Sequence, residues 1–176
     1  MTLRELKKED MEGMLEWMMD PDIRQNFRFS ADKLDEKSVL TFIQNAKILI
    51  SPREGSTIHY AIADDENDEY LGTISLKEIS TVNKNAEYAI SLRKKAQGKG
   101  IGAKATKEIL RLAFEEYGLE RVYLNVLSDN IRAIKLYEKC GFIFEGEFRN
   151  HLLLEGRYKS LKWYSILKDE HDCKDK

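Results

Sequence analysis

The chain has 176 residues, enough for one domain with a core of its own. Hydrophobic residues make up 42% and charged residues 34%, a soluble globular composition that excludes fibrous and disordered classes. A net charge of −2 gives no general attraction to nucleic acid, and no apolar run reaches bilayer-spanning length.

Leu3 to Leu6 reads as a short first strand. From Lys8 to Met19, the residues Met11, Met14, Leu15 and Met18 recur at i, i+3, i+4 and i+7, the core-facing stripe of an amphipathic helix. Asp20-Pro21-Asp22 ends it, because the residue before proline avoids the helical region. Ile23 to Ala31 is a mixed stretch holding Arg24, Phe27, Arg28 and Phe29. A second helix is expected from Asp35 to Ile48, with Val39, Phe42, Ile43 and Ala46 inward. Ser51-Pro52-Arg53-Glu54-Gly55 breaks the chain again. Ile58 to Ala63 and Leu71 to Lys77 read as strands joined by the acidic run Asp64 to Glu69, a solvated hairpin loop and not a metal site. Ala86 to Leu92 is the next strand.

A helix is expected from Lys104 to Tyr117, with Ala105, Ile109, Leu112 and Ala113 on its inner side and Gly118 as its C-cap. Arg121 to Leu127 follows as a strand, and Asn130 to Cys140 as a helix capped by Gly141. Phe142 to Arg149 and Arg157 to Leu167 are the last strands, joined near Glu155-Gly156, and Lys168 to Lys176 is polar and expected to fray. No repeat or linker interrupts this order. Residues 1–168 read as one α/β (α+β) domain, with a mixed, mostly antiparallel central sheet and helices on both faces; residues 169–176 read as a polar tail. The N-terminus lacks an apolar secretory segment, and Cys140 and Cys173 make neither a disulfide framework nor a metal pattern. A cytoplasmic protein is the expectation.

Between a strand and a helix lies Gln97-Gly98-Lys99-Gly100-Ile101-Gly102-Ala103. The free N–H groups of a first helical turn point outward and carry roughly half a positive charge. Glycines let an anion approach them closely. A Walker loop is excluded, since counting from Gly98 puts Ala103 at its second glycine and Ala105 at its hydroxyl position. The dinucleotide fingerprint is formally met by Gly98, Gly100 and Ala103, but no acidic residue ends the following strand. A plain connecting turn is the remaining alternative.

Downstream runs Asn130-Ile131-Arg132-Ala133-Ile134-Lys135-Leu136-Tyr137-Glu138-Lys139-Cys140-Gly141-Phe142. Together with Gln97-x-x-Gly100-x-Gly102, it resembles the acyl-CoA-binding core of the GNAT N-acetyltransferase superfamily, over about Ala86 to Phe144. Glu16-Trp17, Asp20-Pro21 and Leu154-Glu155-Gly156-Arg157-Tyr158 look like the RimJ/RimL-type branch, which includes acetyltransferases of ribosomal-protein N-termini, polyamines and amino sugars. Ile23 to Phe29 and the Phe42-Ile43 helix look somewhat like the nucleotide-amino-sugar enzymes, in which Arg24 and Arg28 would meet a phosphate; solvated surface arginines are the plainer reading.

The resemblance implies acetyl-CoA as the cofactor, a small-molecule or peptide amine as the acceptor, and a monomer or homodimer. It implies a strand that splays from its neighbour at a bulge, where Ile90, Ser91 and Leu92 pair with the pantetheine arm and an N–H near Leu92 stabilises an oxyanion. Gly98, Lys99, Gly100, Ile101, Gly102 and Ala103 would hold the pyrophosphate, with Gln97 and Ala133 beside it. Asn130 either contacts the cofactor arm or caps its helix. Tyr137 matches the general acid that protonates the departing thiolate, against a core tyrosine as the alternative. Glu87 resembles a strand glutamate of polyamine acetyltransferases and is the candidate base, or an ordinary exposed glutamate. Asn125 stands where ribosomal N-terminal acetyltransferases carry glutamate, and would hold a water or an amide. Cys140 reads as a small buried hydrophobe and not as an acyl carrier. A non-catalytic acyl-CoA sensor is the competing function.

Overall fold

The computed structural model describes residues 1–26, 35–46, 48 and 51–172. Its sheet has seven strands in the order β1-β2-β3-β4-β5-β7-β6: β1 (Thr2–Arg4), β2 (Ser56–Ala63), β3 (Tyr70–Ser80), β4 (Asn85–Leu92), β5 (Arg121–Leu127), β6 (Ile143–Leu154) and β7 (Arg157–Leu167). Every neighbouring pair is antiparallel except β4 and β5. The helices are α1 (Met11–Met19), α2 (Pro21–Arg24), α3 (Glu36–Asn45), α4 (Ile101–Arg111), α5 (Ile131–Cys140) and α6 (Lys168–Asp172).

Alternation along β2 divides the core. Ile58, Tyr60 and Ile62 face one way, into the main cluster with Ile109, Leu110, Phe114 and Ile134 of the α4 and α5 side. Ala61 faces the other, with Met14, Trp17, Val39 and Ile43 of α1 and α3. The methionine stripe is core as expected: Met14 is fully buried, while Met11, Leu15 and Met18 pack at its margin. Asp35 caps α3 by accepting from Ser38 N at 2.8 Å, and Ala46 leaves the helical region, so the helix stops short of Ile48. Phe27 to Ala31, with Arg28, lies outside the described residues, as does Cys173.

Several boundaries move for physical reasons. The first strand is Thr2–Arg4, and Leu6 turns into the α1/α3 core. The acidic turn is solvated as expected, with Asp65 to Asp68 exposed, and it also carries ion pairs. Asp68 holds Arg4 and Lys7, both at 2.5 Å, Asp65 takes the N-terminal amine, and Glu69 takes Lys95 and Arg93. It clamps β1 and the segment after β4. The fourth helix starts at Ile101, three residues before Lys104, because only the left-handed Gly100 interrupts helical geometry there. Its end widens into a π-turn at Leu112–Glu116, closed by Tyr117 N donating to Leu112 O at 2.9 Å. That extra residue puts Phe114 inside with Ala113 and leaves Leu112 only partly buried. Strand β6 runs on to Leu154, past Arg149. Lys168–Asp172 forms a helical turn, with the His171 ring 5.4 Å from Phe114, instead of fraying.

Candidate active site

Strands β4 and β5 run in parallel for only three residues, Asn85 to Glu87 against Arg121 to Tyr123, and then part. Strand β4 stays paired with β3 through Gly72↔Leu92, and β5 stays paired with β7 through Leu127↔Leu161. The result is a V that opens toward the glycine loop. The expected bulge is not in β4. The irregularity lies in β3, between Lys77 and Ser80, where Glu78 has φ of 48°.

Backbone alternation decides which groups face the opening. Arg93 N donates to Leu71 O at 2.9 Å, so Arg93, Ser91 and Ala89 turn their peptide groups toward β3. Ile90 and Leu92 turn theirs into the V. The Leu92 carbonyl accepts from Gln97 Nε2 at 2.8 Å, and Gln97 Oε1 accepts from Arg132 Nη1 at 2.5 Å. One side chain therefore ties the end of β4 to the first turn of α5. Among the described residues, the peptide groups of Ile90 and the Leu92 N–H make up the edge an extended ligand would pair with.

Gly98 and Gly100 have φ of 76° and 77°, and a Cβ on either would meet nothing within 4 Å. The loop is open above the first turn of α4, and no side chain caps that turn. Lys99 is exposed beside it, and Ile101 and Ala103 are half-buried in the turn. This backbone fits a diphosphate: free amides, a helix dipole and clear approach. Gly102 has a different task. A Cβ there would lie 3.2 Å from Leu92 Cδ1 and 3.3 Å from Leu136 Cδ2, so glycine lets α4, β4 and α5 close on one another.

Asn130 caps α5 by accepting from Ala133 N at 3.2 Å. Tyr137 is 8% exposed on α5, one residue beyond Leu136. Its ring meets Tyr88 edge-on at 5.8 Å and Phe142 at 6.0 Å. Tyr88 is fully buried, its hydroxyl 2.7 Å from Thr106 Oγ1 on α4, and burial pushes its phenol well above the usual value. A packed, hydrogen-bonded ring thus sets the position of Tyr137.

Glu87 and Asn125 point to the opposite face of the sheet from Tyr88 and Leu124. Glu87 is in register with Lys77 on one side, at 3.9 Å, and with Tyr123 on the other. Burial, then Glu87 and Glu78, raises the Tyr123 phenol. Asn125 is in register with Trp163. On the same face, under α3, His59 Nδ1 lies 2.7 Å from Ser75 Oγ, with the Phe42 ring at 4.5 Å. Burial, then the Lys77 charge, lowers its pKa to about 4. The V thus gathers Ile90, Leu92, Gln97 and the loop at its mouth and Tyr137 behind one face, with Glu87 and Asn125 on the other.

Residues 1–143 match the acetyltransferase (GNAT) domain model. The chain belongs to the GNAT acetyltransferase family. The family's members are acetyl-CoA-dependent N-acetyltransferases, and the open glycine loop and free β4 edge suit that donor. The chain is 31% identical over 110 residues to the spermidine N(1)-acetyltransferase of Vibrio cholerae, covering 62% of this chain and 64% of that enzyme. The aligned stretch thus falls short of two-thirds of that relative's length. The uncharacterized N-acetyltransferase p20 of Bacillus licheniformis is 25% identical over 173 residues, or 97% of this chain and 94% of that one. A crystal structure of the Vibrio cholerae spermidine N-acetyltransferase in complex with CoA and spermine superimposes with a TM-score of 0.77 at 26% identity, covering 97% and 96% of the two chains. No helix among the described residues is long and apolar enough to cross a membrane.

Reasoning from sequence missed Arg132, Tyr123, Trp163 and Phe148. Arg132 sits at a variable position inside the asparagine-to-glycine motif, and only its bond to Gln97 marks it. The three aromatic residues come from three different strands and meet only through strand register.

Proposed function

We propose that this GNAT acetyltransferase acetylates a primary amine of the polyamine class, by direct attack within a ternary complex. The observation that carries the proposal is the V between β4 and β5, with a carboxylate and a carboxamide on one face and a packed tyrosine behind the other. The acceptor class is supported by the spermidine acetyltransferase relatives and by a carboxylate suited to an ammonium.

When bound, acetyl-CoA supplies an acetyl thioester. The chain's residues supply the rest. An ammonium has no lone pair to attack with, so Glu87 takes its proton, with Asn125 orienting the amine or an intervening water. The Leu92 N–H donates to the carbonyl oxygen as that atom gains negative charge. The Tyr137 hydroxyl donates its proton to the departing sulfur, a transfer open to a phenol because it is the protonated form at neutral pH. The attacking nitrogen loses its extra proton as the amide forms; the tyrosinate regains a proton from that nitrogen through solvent, and Glu87 releases its own to solvent. A cytoplasmic location goes with this proposal, because the donor is an intracellular metabolite.

The test is thiol release from acetyl-CoA across polyamines, amino sugars and N-terminal peptides, repeated with Tyr137→Phe. Polyamines are expected to be turned over fastest. The variant should keep CoA affinity and lose about 10²- to 10³-fold in kcat. Faster turnover of an amino sugar or peptide removes the polyamine assignment. An unchanged kcat in Tyr137→Phe removes the assigned acid, and no turnover with any amine favours a CoA sensor.

A further inference from the structure

On the acceptor face of the sheet, aromatic rings lead away from Glu87 across three strands. In-register partners share a face, so Glu87 of β4 and Tyr123 of β5 form one rung, and Asn125, Trp163 and Gly146 form the next. Phe148 of β6 follows, opposite Leu161. The rings touch in turn: Tyr123 and Trp163 stack with centroids 6.1 Å apart and planes at 25°, and Trp163 and Phe148 lie 5.4 Å apart. Phe148 is 49% exposed. Gly146 leaves room beside Trp163, since a Cβ there would meet nothing within 4 Å. Arg121 already lies over Tyr123, its Cζ 5.9 Å from the ring centroid, but Glu145 and Ser165 hold its guanidinium in place.

We propose that Trp163 and Phe148, with the gap at Gly146, form a second cation subsite that takes the far nitrogen of a linear triamine whose near nitrogen is at Glu87. The inference rests on the polyamine reading and deepens it. A ring face attracts a cation within about 6 Å of its centroid, tryptophan most of all, and the methylenes between nitrogens lie well along apolar rings. Length favours a triamine. Neighbouring strands lie about 4.8 Å apart and two residues along a strand add about 6.8 Å, so the Trp163 backbone is roughly 12 Å from that of Glu87, with the Phe148 ring against it one rung further on. At about 1.25 Å of advance per bond, an extended triamine with three- and four-carbon spacers spans about 11 Å, and a four-carbon diamine about 6 Å. The triamine reaches Trp163, whereas the diamine ends over Tyr123.

Steady-state kinetics with a linear triamine, a four-carbon diamine and n-butylamine tests the subsite in the wild type and in Trp163→Leu, Phe148→Ala and Gly146→Val. Thermal melts confirm that each variant folds. Phe148 is half-exposed and Gly146 has open space around it, so those two keep the test alive if Trp163→Leu unfolds. The wild type should prefer the triamine. In each variant the triamine-to-butylamine ratio of kcat/KM should fall about tenfold, through KM for the triamine and not kcat. Equal losses for triamine and butylamine, or no change in the ratio, overturn the subsite while leaving the polyamine reading intact. A wild type that turns over none of the three amines removes that reading and the subsite with it.

Discussion

Gly102→Ala separates the stability of the protein from its grip on the donor. The new methyl would sit 3.2 Å from Leu92 Cδ1 and 3.3 Å from Leu136 Cδ2, a few tenths of an ångström inside ordinary contact. Both neighbours are the ends of leucine side chains, so the overpacking costs about 1 kcal/mol, the low end for such insertions. Alanine in place of glycine within a helix returns about 0.8–1 kcal/mol. The two nearly cancel, and the melting temperature should move by only a few degrees. CoA binding should not be spared, because Leu92 carries the edge amide and is the residue pushed. Losing one hydrogen bond along that edge is worth about 1 kcal/mol, or roughly a fivefold rise in the calorimetric Kd. Gly102→Val adds two further methyls on a stiff side chain and should cost about 2–3 kcal/mol as well. Wild-type CoA affinity in a folded Gly102→Ala would refute the idea that Leu92, held by this close approach, lines the donor site.

Gln97→Ala frees both the Leu92 carbonyl and Arg132, and should raise KM for acetyl-CoA about tenfold with kcat changed less; Gln97→Glu keeps an acceptor for Arg132 and should recover part of the loss. Glu87→Gln should lower kcat/KM at pH 7 by about 10²-fold, and the deficit should narrow as the pH approaches the acceptor amine's own pKa, where base assistance matters less. A deficit constant with pH would make Glu87 a binding group and not a base. His59 is held neutral, its pKa lowered from 6.5 to about 4, so between those values the unfolded chain binds the proton and the folded one does not. Stability should therefore fall as pH drops from about 6.5 to 4, by no more than about 3 kcal/mol and by less given the ring's partial exposure. In His59→Asn that part of the slope, followed by chemical denaturation, should flatten.

What could be read from the chain was what backbone geometry demands of particular residue types. Gly98 and Gly100 are glycines because their φ is positive, and Asn130 and Gly141 bracket α5 because a helix needs capping at both ends. Those requirements are local, so they leave marks at fixed spacings. The opening of β4 from β5 leaves no such mark. Strand β4 itself stays regular there, and the register shift near Glu78 lies in β3, where the composition of β4 cannot show it. The π-turn at Leu112–Glu116 was equally invisible, since a reading at 3.6 residues per turn assumes that no residue is inserted.

The face that carries Glu87 was hidden for a third reason. Tyr123, Trp163 and Phe148 look individually like ordinary strand aromatics, and Glu87 like an ordinary exposed carboxylate. Their grouping depends on the register of three strand pairs at once, one of them a β6–β7 hairpin that breaks register between Phe144 and Gly146 and again between Phe148 and Leu152. A one-residue slip in either pairing would turn Phe148 to the face lined by Tyr164 and Lys162 and leave Trp163 beside a different neighbour. The glycine loop was therefore legible because it belongs to one contiguous motif. The grouping around Glu87 was not, because only the assembled sheet brings those side chains together.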